Sequence, residues 1–155
     1  MIFFDTSALA KRYVEEAGSV LVNQIVNRVH DPNSQTDEAE HAPVAVAAIT
    51  YAEIYALFGR LLRDGKLSLS DYRGLIRQFE QDWRCFIVVE WDRHIRSIVS
   101  ETIDRHLLRG ADLVQFTSLV YLHDKLGVKS FAVSDLMLAN AAEKDNIPVT
   151  NPAIM

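Results

Sequence analysis

Short apolar runs alternate along this chain with stretches of helical period, and this alternation restricts the fold more than any other feature. The runs have the length and composition of strands that are buried on both faces. They lie at residues 2–4, 43–49, 86–91, 131–133 and 148–150. Because a helix between two strands usually returns the chain to pair in parallel, the sequence predicts an α/β fold whose parallel sheet is covered by helices on both faces.

The stretches between the runs predict the helices. Helix-forming residues follow the first run at 8–17, and Val22, Ile25, Val26 and Val29 have helical spacing over 19–29. A helical hairpin is expected next, with one helix from about residue 54 to Gly65 and another over 72–83. Further helices are predicted at 95–103, 110–126 and 136–144. The polar stretch between His30 and Ala42 is expected to be a long acidic loop.

Size and charge limit the possible classes of protein. The 155 residues, 49% of them hydrophobic, fit a single domain over 1–155. No apolar run reaches the ~20 residues of a membrane helix, and the start does not resemble a signal peptide. The single cysteine, Cys85, excludes an intramolecular disulfide, so we expect a buried thiol in a cytoplasmic protein. With a net charge of −5, the chain must hold any polyanion through local basic groups or metal ions.

Four acidic residues stand at or just inside the starts of predicted helices: Asp5, Glu53, Asp112 and Asp135. In a parallel α/β fold these starts meet at the carboxyl edge of the sheet, where such folds bind ligands. Four carboxylates gathered there would favour a hard divalent cation.

Each acid also has a structural explanation. Asp5 and Asp135 could simply cap the helices that follow them, and Thr50 to Glu53 matches a capping box. Asp112 continues the apolar stripe of its helix, where unpaired acids are rare, although the helix dipole also favours an acid in the first turn. No single acid decides between these explanations, but the recurrence of one arrangement favours a shared site.

Four motifs carry a resemblance to a known family. They are Phe3-Phe4-Asp5-Thr6-Ser7-Ala8-Leu9-Ala10-Lys11, Thr50-Tyr51-Ala52-Glu53-Ile54, Leu107-Leu108-Arg109-Gly110-Ala111-Asp112 and Phe131-Ala132-Val133-Ser134-Asp135-Leu136. In this order and spacing the chain resembles the PIN-domain family, in particular the VapC-type toxins of toxin–antitoxin pairs. The resemblance spans nearly the whole chain, and its clearest departure is the acidic stretch 30–42.

The resemblance implies a single three-layer α/β/α PIN-like domain that acts as a metal-dependent endoribonuclease. It places Asp5, Glu53, Asp112 and Asp135 at the family's acidic positions, with Thr6, Ser7 and Ser134 as supporting hydroxyl groups. It further implies one or two Mg²⁺ or Mn²⁺ ions, an RNA substrate, a VapB-like antitoxin and a homodimer.

The chemistry of phosphodiester hydrolysis agrees with this carboxylate set. Two divalent ions can activate water and stabilise the charge on the phosphate and the leaving oxygen. We expect Asp5 as the central ligand, Asp112 and Asp135 as further ligands, and Glu53 as a ligand or water-orienting base. The five histidines show no zinc-ligand spacing and are expected to be solvated or to cap helices. The chain has no glycine-rich phosphate loop.

RNA contacts would require a local cationic track. The candidates are Lys11, Arg12, Arg60, Arg63 and Arg109. Arg60 lies seven residues after Glu53, on the same side of the predicted helix, and could reach a phosphate near the site. The mixed charges around Arg60 and Arg63 could equally be an ordinary solvated helix end.

Two other enzyme classes also gather acids at sheet edges. A receiver domain would end its last strand with a lysine, whereas this chain has Pro148-Val149-Thr150-Asn151. A haloacid-dehalogenase-like phosphatase would need a second aspartate at the position of Ser7. A catalytically silent PIN-like scaffold that binds RNA or protein remains the alternative to a nuclease.

Overall fold

A computed structural model of the chain describes residues 1–30 and 42–154. Its sheet contains β1 (Ile2–Phe4), β2 (Val44–Ala47), β3 (Ile87–Val89), β4 (Ser130–Ala132) and β5 (Val149–Thr150). The strand order is β3-β2-β1-β4-β5 and every pairing is parallel. The predicted α/β fold is therefore confirmed. The acidic loop predicted between His30 and Ala42 lies outside the described residues.

Within the part of the chain that the structure describes, eight helices accompany these strands. They are α1 (Thr6–Leu9), α2 (Ser19–Val29), α3 (Ile49–Arg63), α4 (Leu69–Trp83), α5 (Arg93–Ser97), α6 (Val99–His106), α7 (Gly110–Leu126) and α8 (Leu136–Lys144). A short 3-10 turn, Ala10–Arg12, follows α1. Within the described ranges, every helix falls short of the length and apolar character that a bilayer crossing requires.

Alternating side chains of the strands divide the core into two layers. Phe3 points into one cluster with residues of α5, α7 and α8, and its neighbour Phe4 points into the other with residues of α2, α3 and α4. The same alternation separates Ala45 from Val46 on β2. Because successive side chains of a strand face opposite sides of the sheet, the two clusters lie on opposite faces. The helices therefore enclose the sheet in the predicted three layers.

Local signals account for several helix boundaries. Ser68 caps α4 through a capping box: its Oγ accepts a hydrogen bond from the Asp71 N–H at 3.1 Å, and Asp71 accepts one from the Ser68 N–H at 3.4 Å. Gly127 ends α7 with a φ of +71°, which glycine adopts at little cost.

Three predicted boundaries were wrong. The helix predicted over 8–17 is only α1 and the 3-10 turn, because Arg12 and Tyr13 turn away to contact Asp82 on α4. The helix predicted over 95–103 is broken near Ile98, where the Ser97 hydroxyl donates to the His94 carbonyl. Helix α3 begins at Ile49, about five residues earlier than expected.

Gly18 joins the start of α2 to the last part of the described chain. It has a φ of +95°, and a Cβ atom on it would lie 2.5 Å from the carbonyl oxygen of Pro152. Both the backbone conformation and the close approach require glycine here.

Candidate active site

The strand order brings the predicted acidic residues to one edge of the sheet. Asp5 directly follows β1, which lies between β2 and β4. Glu53 lies on α3, which follows β2, and Asp135 caps α8 just after β4. In a parallel sheet all carboxyl ends share one edge, so Asp5 occupies the central position. Asp112 arrives from the first turn of α7, which packs against β2 and α3.

Asp5 combines a capping role with an unusual electrostatic environment. Its side chain accepts a hydrogen bond from the Ser7 N–H at 2.9 Å and so caps α1. The residue is only 4% exposed. Burial raises the pKa of its carboxyl group to about 6, the Ser7 hydrogen bonds oppose this rise, and the charge of Glu53 adds to it. The capping explanation is therefore correct for Asp5, but it does not account for a carboxyl group held this far from water beside another acid.

Asp112 is half-buried and lies within electrostatic reach of two other acids. Burial raises the pKa of its carboxyl group, the charges of Asp135 and Glu53 raise it further, and Arg109 opposes them. Asp135 is exposed and caps α8, accepting hydrogen bonds from the Met137 and Leu138 N–H groups at 2.8 and 3.0 Å. Asp112, Asp135 and Glu53 thus share one negative region of the surface.

Glu53 takes part in a hydrogen-bond network rather than a helix cap. Because α3 begins at Ile49, Thr50 lies inside the helix and the capping-box interpretation of Thr50 and Glu53 was wrong. Glu53 Oε2 accepts from Thr6 Oγ1 at 2.5 Å and from Gln115 Nε2 at 2.9 Å. Gln115 Nε2 also lies 2.6 Å from Thr6 Oγ1 and 2.9 Å from Thr50 Oγ1. The network links α1, α3 and α7.

Gln115 is the site residue that the sequence analysis missed. It is 1% exposed, and its Oε1 has no partner among the described residues. A buried polar side chain without a partner is uncommon and costs stability. The available signal was a lone glutamine in an apolar stretch of α7, three positions after Asp112.

The three predicted supporting hydroxyl residues also lie at this edge. Thr6 donates to Glu53, as described above. Ser7 Oγ accepts a hydrogen bond from the backbone N–H of Ser134 at 3.1 Å. The Ser134 hydroxyl is buried and has no partner within the described ranges. Ser7 and Ser134 therefore tie the loop after β1 to the loop after β4 beside Asp5.

The donor chemistry of this site fits a hard cation, although its side chains are not gathered around one point. None of the ion pairs among the described residues involves Asp5, Glu53, Asp112 or Asp135. Oxygen-only, negatively charged ligands suit Mg²⁺ or Mn²⁺. Within residues 1–30 and 42–154, however, no group of three or more His, Cys, Asp or Glu side chains is placed to hold a metal ion. An ion would have to draw side chains out of their present contacts.

Three of the predicted cationic residues are exposed. Arg60 lines a groove of about 350 Å³ together with Thr6, Ser7 and Glu53. Arg63 is exposed and lies 3.8 Å from Asp64. Arg109 is exposed at the start of α7 and acts electrostatically on Asp112.

The other two predicted cations are structural. Lys11 is buried and its Nζ lies 2.9 Å from Glu16 Oε1. Arg12 Nε lies 3.1 Å from Asp82, and its Nη1 donates to Asn23 and Asn27. Both charges are already paired within the fold, so the structure gives no support for their place in the cationic track.

Two predictions about cysteine and histidine also fail. Cys85 was expected to be buried but is exposed, in the turn that follows α4. His106 was expected to be solvated or to cap a helix, yet its ring is 2% exposed, contacts the Phe116 ring and lies 3.0 Å from Asp145. His123 does contact the backbone beyond the end of α7, accepting from the Val128 N–H at 3.2 Å. His41 lies outside the described residues.

Comparison with known proteins supports the architecture. No protein-family model matches the chain. No curated protein matches its sequence either. Among solved structures, the chain is similar to the crystal structure of FitAcB from Neisseria gonorrhoeae, with a TM-score of 0.64, 18% sequence identity and coverage of 100% of both chains. At this identity the likeness shows the fold alone: an α/β domain whose described residues form a five-stranded parallel sheet.

Proposed function

We propose that this chain is a PIN-domain endoribonuclease, the toxin of a toxin–antitoxin pair, that hydrolyses RNA phosphodiester bonds with Mg²⁺ or Mn²⁺. One observation carries the proposal. Asp5 and Asp112 have raised pKa values at the carboxyl edge of the sheet, and neighbouring acids contribute to both shifts. Carboxylates that repel one another at this edge, without an ion-pair partner among the described residues, favour a divalent cation.

The proposed roles follow from the position of each side chain. Asp5 is the central ligand because it follows the middle strand, and Asp112 and Asp135 complete the ligand set from α7 and α8. Glu53 is a ligand or orients the attacking water, and Thr6 and Gln115 hold its carboxylate in place. The bound ions would supply an activated water and neutralise charge on the phosphate.

Arg60 is the best-placed side chain for the RNA backbone. It lines the same groove as Glu53 and Thr6, and it is exposed. Arg63 follows on the same helix, and Arg109 is exposed at the start of α7. A protein with a net charge of −5 must concentrate its phosphate contacts in this way.

The proposed partners are a VapB-like antitoxin, whose tail would cross the acidic edge, and a second copy of this chain. The four motifs that resemble the VapC-type toxins support an antitoxin partner, and the structural likeness to FitAcB covers the full length of both chains. The α3–α4 hairpin leaves Tyr51 and Leu69 exposed, which supports a homodimer formed by this hairpin. We place the protein in the cytoplasm.

Light scattering tests the homodimer. Without antitoxin it should give twice the monomer mass at tens of micromolar, and a monomer would refute the dimer.

A binding scaffold is the second candidate. The observation in its favour is that no three acidic side chains of the described site stand around one point, while Glu53 is already hydrogen-bonded to Thr6 and Gln115. A PIN-like domain that binds RNA or antitoxin without cleaving would not need to rearrange these side chains.

Cleavage of a model RNA distinguishes the two candidates. We expect cleavage by the intact protein with Mn²⁺ or Mg²⁺, and none with excess chelator or after Asp5→Asn. Asp64→Asn, which changes an exposed acid at the end of α3, is the matched control and should cleave normally. RNA binding without cleavage at any metal concentration would establish the scaffold. Cleavage that persists in chelator and in Asp5→Asn would exclude the proposed site.

A further inference from the structure

A polar cluster outside the candidate active site surrounds Asp82 near the end of α4. Asp82 is 1% exposed and accepts hydrogen bonds from the Tyr13 hydroxyl at 2.9 Å and from Arg12 Nε at 3.1 Å. His30 Nε2 lies 2.6 Å from the other carboxylate oxygen, Oδ1. The cluster joins the turn after α1 to the ends of α2 and α4.

The contacts of the His30 ring determine which nitrogen carries the proton. The Asp82 carboxylate faces an arginine and can only accept hydrogen bonds, so His30 Nε2 must be the donor. In the neutral imidazole, Nδ1 is then an acceptor. Cys85 Sγ lies 3.5 Å from this Nδ1, whereas its other contact, the Gln81 carbonyl oxygen, is 3.7 Å away.

Cys85, His30 and Asp82 therefore form the chain of contacts that activates nucleophilic cysteines. A base stands beside the thiol, and a carboxylate on the far side of the ring fixes the tautomer and orientation of that base. The thiol is exposed in the turn that follows α4, so a reagent in solution can reach it. Because Cys85 is the only cysteine, its reaction partner must come from outside the chain.

We propose that Cys85 is a thiol-modification site, with His30 as its base and Asp82 as the residue that positions His30, and that it reacts with low-molecular-weight disulfides. His30 Nδ1 takes the thiol proton as Cys85 Sγ attacks one sulfur of the disulfide. The disulfide bond breaks, a new bond forms to Cys85 Sγ, and the other sulfur leaves as a thiolate; the proton passes from His30 to this thiolate when it is basic, or to solvent when it is the thiolate of an acidic aromatic thiol. Cys85 is oxidised and half of the disulfide is reduced, so no further oxidant is required.

The expected effect on rate follows from the scarcity of thiolate. An ordinary free thiol is only a few per cent thiolate at pH 7, and the thiolate is the attacking species. Base assistance in the folded protein should raise the rate about fivefold to tenfold above that of the same thiol in the unfolded chain.

The test uses the full chain and the aromatic disulfide 5,5′-dithiobis(2-nitrobenzoate) at pH 7, with release of the coloured thiolate followed by absorbance. Intact mass should show one adduct, and Cys85→Ser should show none. The folded protein should form the adduct at least about five times as fast as the protein unfolded in urea. This comparison needs no variant. Equal rates in the folded and unfolded states would overturn the proposal.

A matched pair of histidine variants assigns the base. His30→Gln should lose most of the rate advantage, whereas His94→Gln, at an exposed histidine of α5, should retain it. Circular dichroism checks that both variants fold. A His30→Gln protein that is folded and reacts as fast as the unaltered chain would exclude His30 as the base.

Discussion

The contact between Gln115 and Glu53 permits a quantitative test of the candidate site. Gln115→Met keeps an unbranched side chain of similar length but removes the amide, and Glu53→Ala removes the carboxylate. Together with the double variant they form a thermodynamic cycle, which isolates the energy of this one contact from the other effects of each change.

The magnitude follows from the hydrogen bonds. Gln115 Nε2 has two hydrogens and three acceptors at 2.6–2.9 Å, so it serves two at a time. A bond to a charged acceptor contributes about 1.5–3 kcal/mol and a neutral one about 1 kcal/mol. Removing the buried Oε1, which has no partner, stabilises the folded state by about 1–3 kcal/mol. Gln115→Met should therefore cost only about 1 kcal/mol, whereas its coupling to Glu53 should be about 1.5 kcal/mol.

Urea unfolding followed by tryptophan fluorescence, at pH 7 in chelator, measures all four corners of the cycle. Gln24→Met, on the exposed face of α2, is the control and should change stability by less than about 0.5 kcal/mol. A coupling energy below about 0.3 kcal/mol would refute the reasoning, because the amide would then not be holding the carboxylate.

Three further predictions concern charges at the same edge. The pKa of Asp5 is raised to about 6, so the folded state binds this proton more tightly than the unfolded state. The free energy of unfolding should therefore fall by up to ~3 kcal/mol as the pH rises from about 4 to 6, and Asp5→Asn should remove this fall. If the unaltered protein and Asp5→Asn differ in stability by the same amount at pH 4 and at pH 7, the prediction is wrong. Arg60→Gln should weaken RNA binding and flatten the slope of log binding constant against log salt concentration by nearly one unit. Lys11→Gln should lower the stability of the protein and leave this slope unchanged. A flatter slope in Lys11→Gln would show that Lys11 contacts RNA after all. Asp135→Asn should keep the cap of α8, so in chelator its melting temperature should be no lower than that of the unaltered protein. Mn²⁺ should raise the melting temperature of this variant less than that of the unaltered protein. An equal rise in both would mean that Asp135 only caps the helix.

The elements that were predicted well are those whose signals are local. Helix α2 has the predicted bounds Ser19–Val29, and α8 has the predicted bounds Leu136–Lys144. In both, apolar residues at helical spacing are bounded by residues that start or stop a helix, such as Gly18 before α2 and Asp135 before α8.

The predictions that failed depend on partners far along the chain. Arg12 was assigned to the cationic track for RNA, yet it pairs with Asp82, which lies 70 positions away. Cys85 was assigned to the core because isolated cysteines usually behave as small apolar residues, but it is exposed in the turn that follows α4. Neither outcome has a signal in the neighbouring sequence.

The sequence was enough to propose the four acids as a site, which stays a prediction, but it did not give their arrangement. The four acids follow from their positions at predicted helix starts. The strand order that places Asp5 between Glu53 and Asp135 is not readable from the alternation of elements. Gln115 was missed for a related reason, because its three acceptors belong to α1 and α3.

The contact between Gly18 and Pro152 has a genetic consequence. An alanine at position 18 would meet two separate penalties, a left-handed backbone of about 1 kcal/mol or more and a Cβ atom 2.5 Å from the Pro152 carbonyl oxygen. If the chain is shortened to end at residue 150, Pro152 is lost and the clash with its carbonyl oxygen disappears, whereas the backbone penalty remains. Shortening should therefore cost the Gly18→Ala protein less stability than it costs the unaltered chain. The turn at the start of α2 and the segment after β5 would then behave as a suppressor pair, although they are distant in sequence.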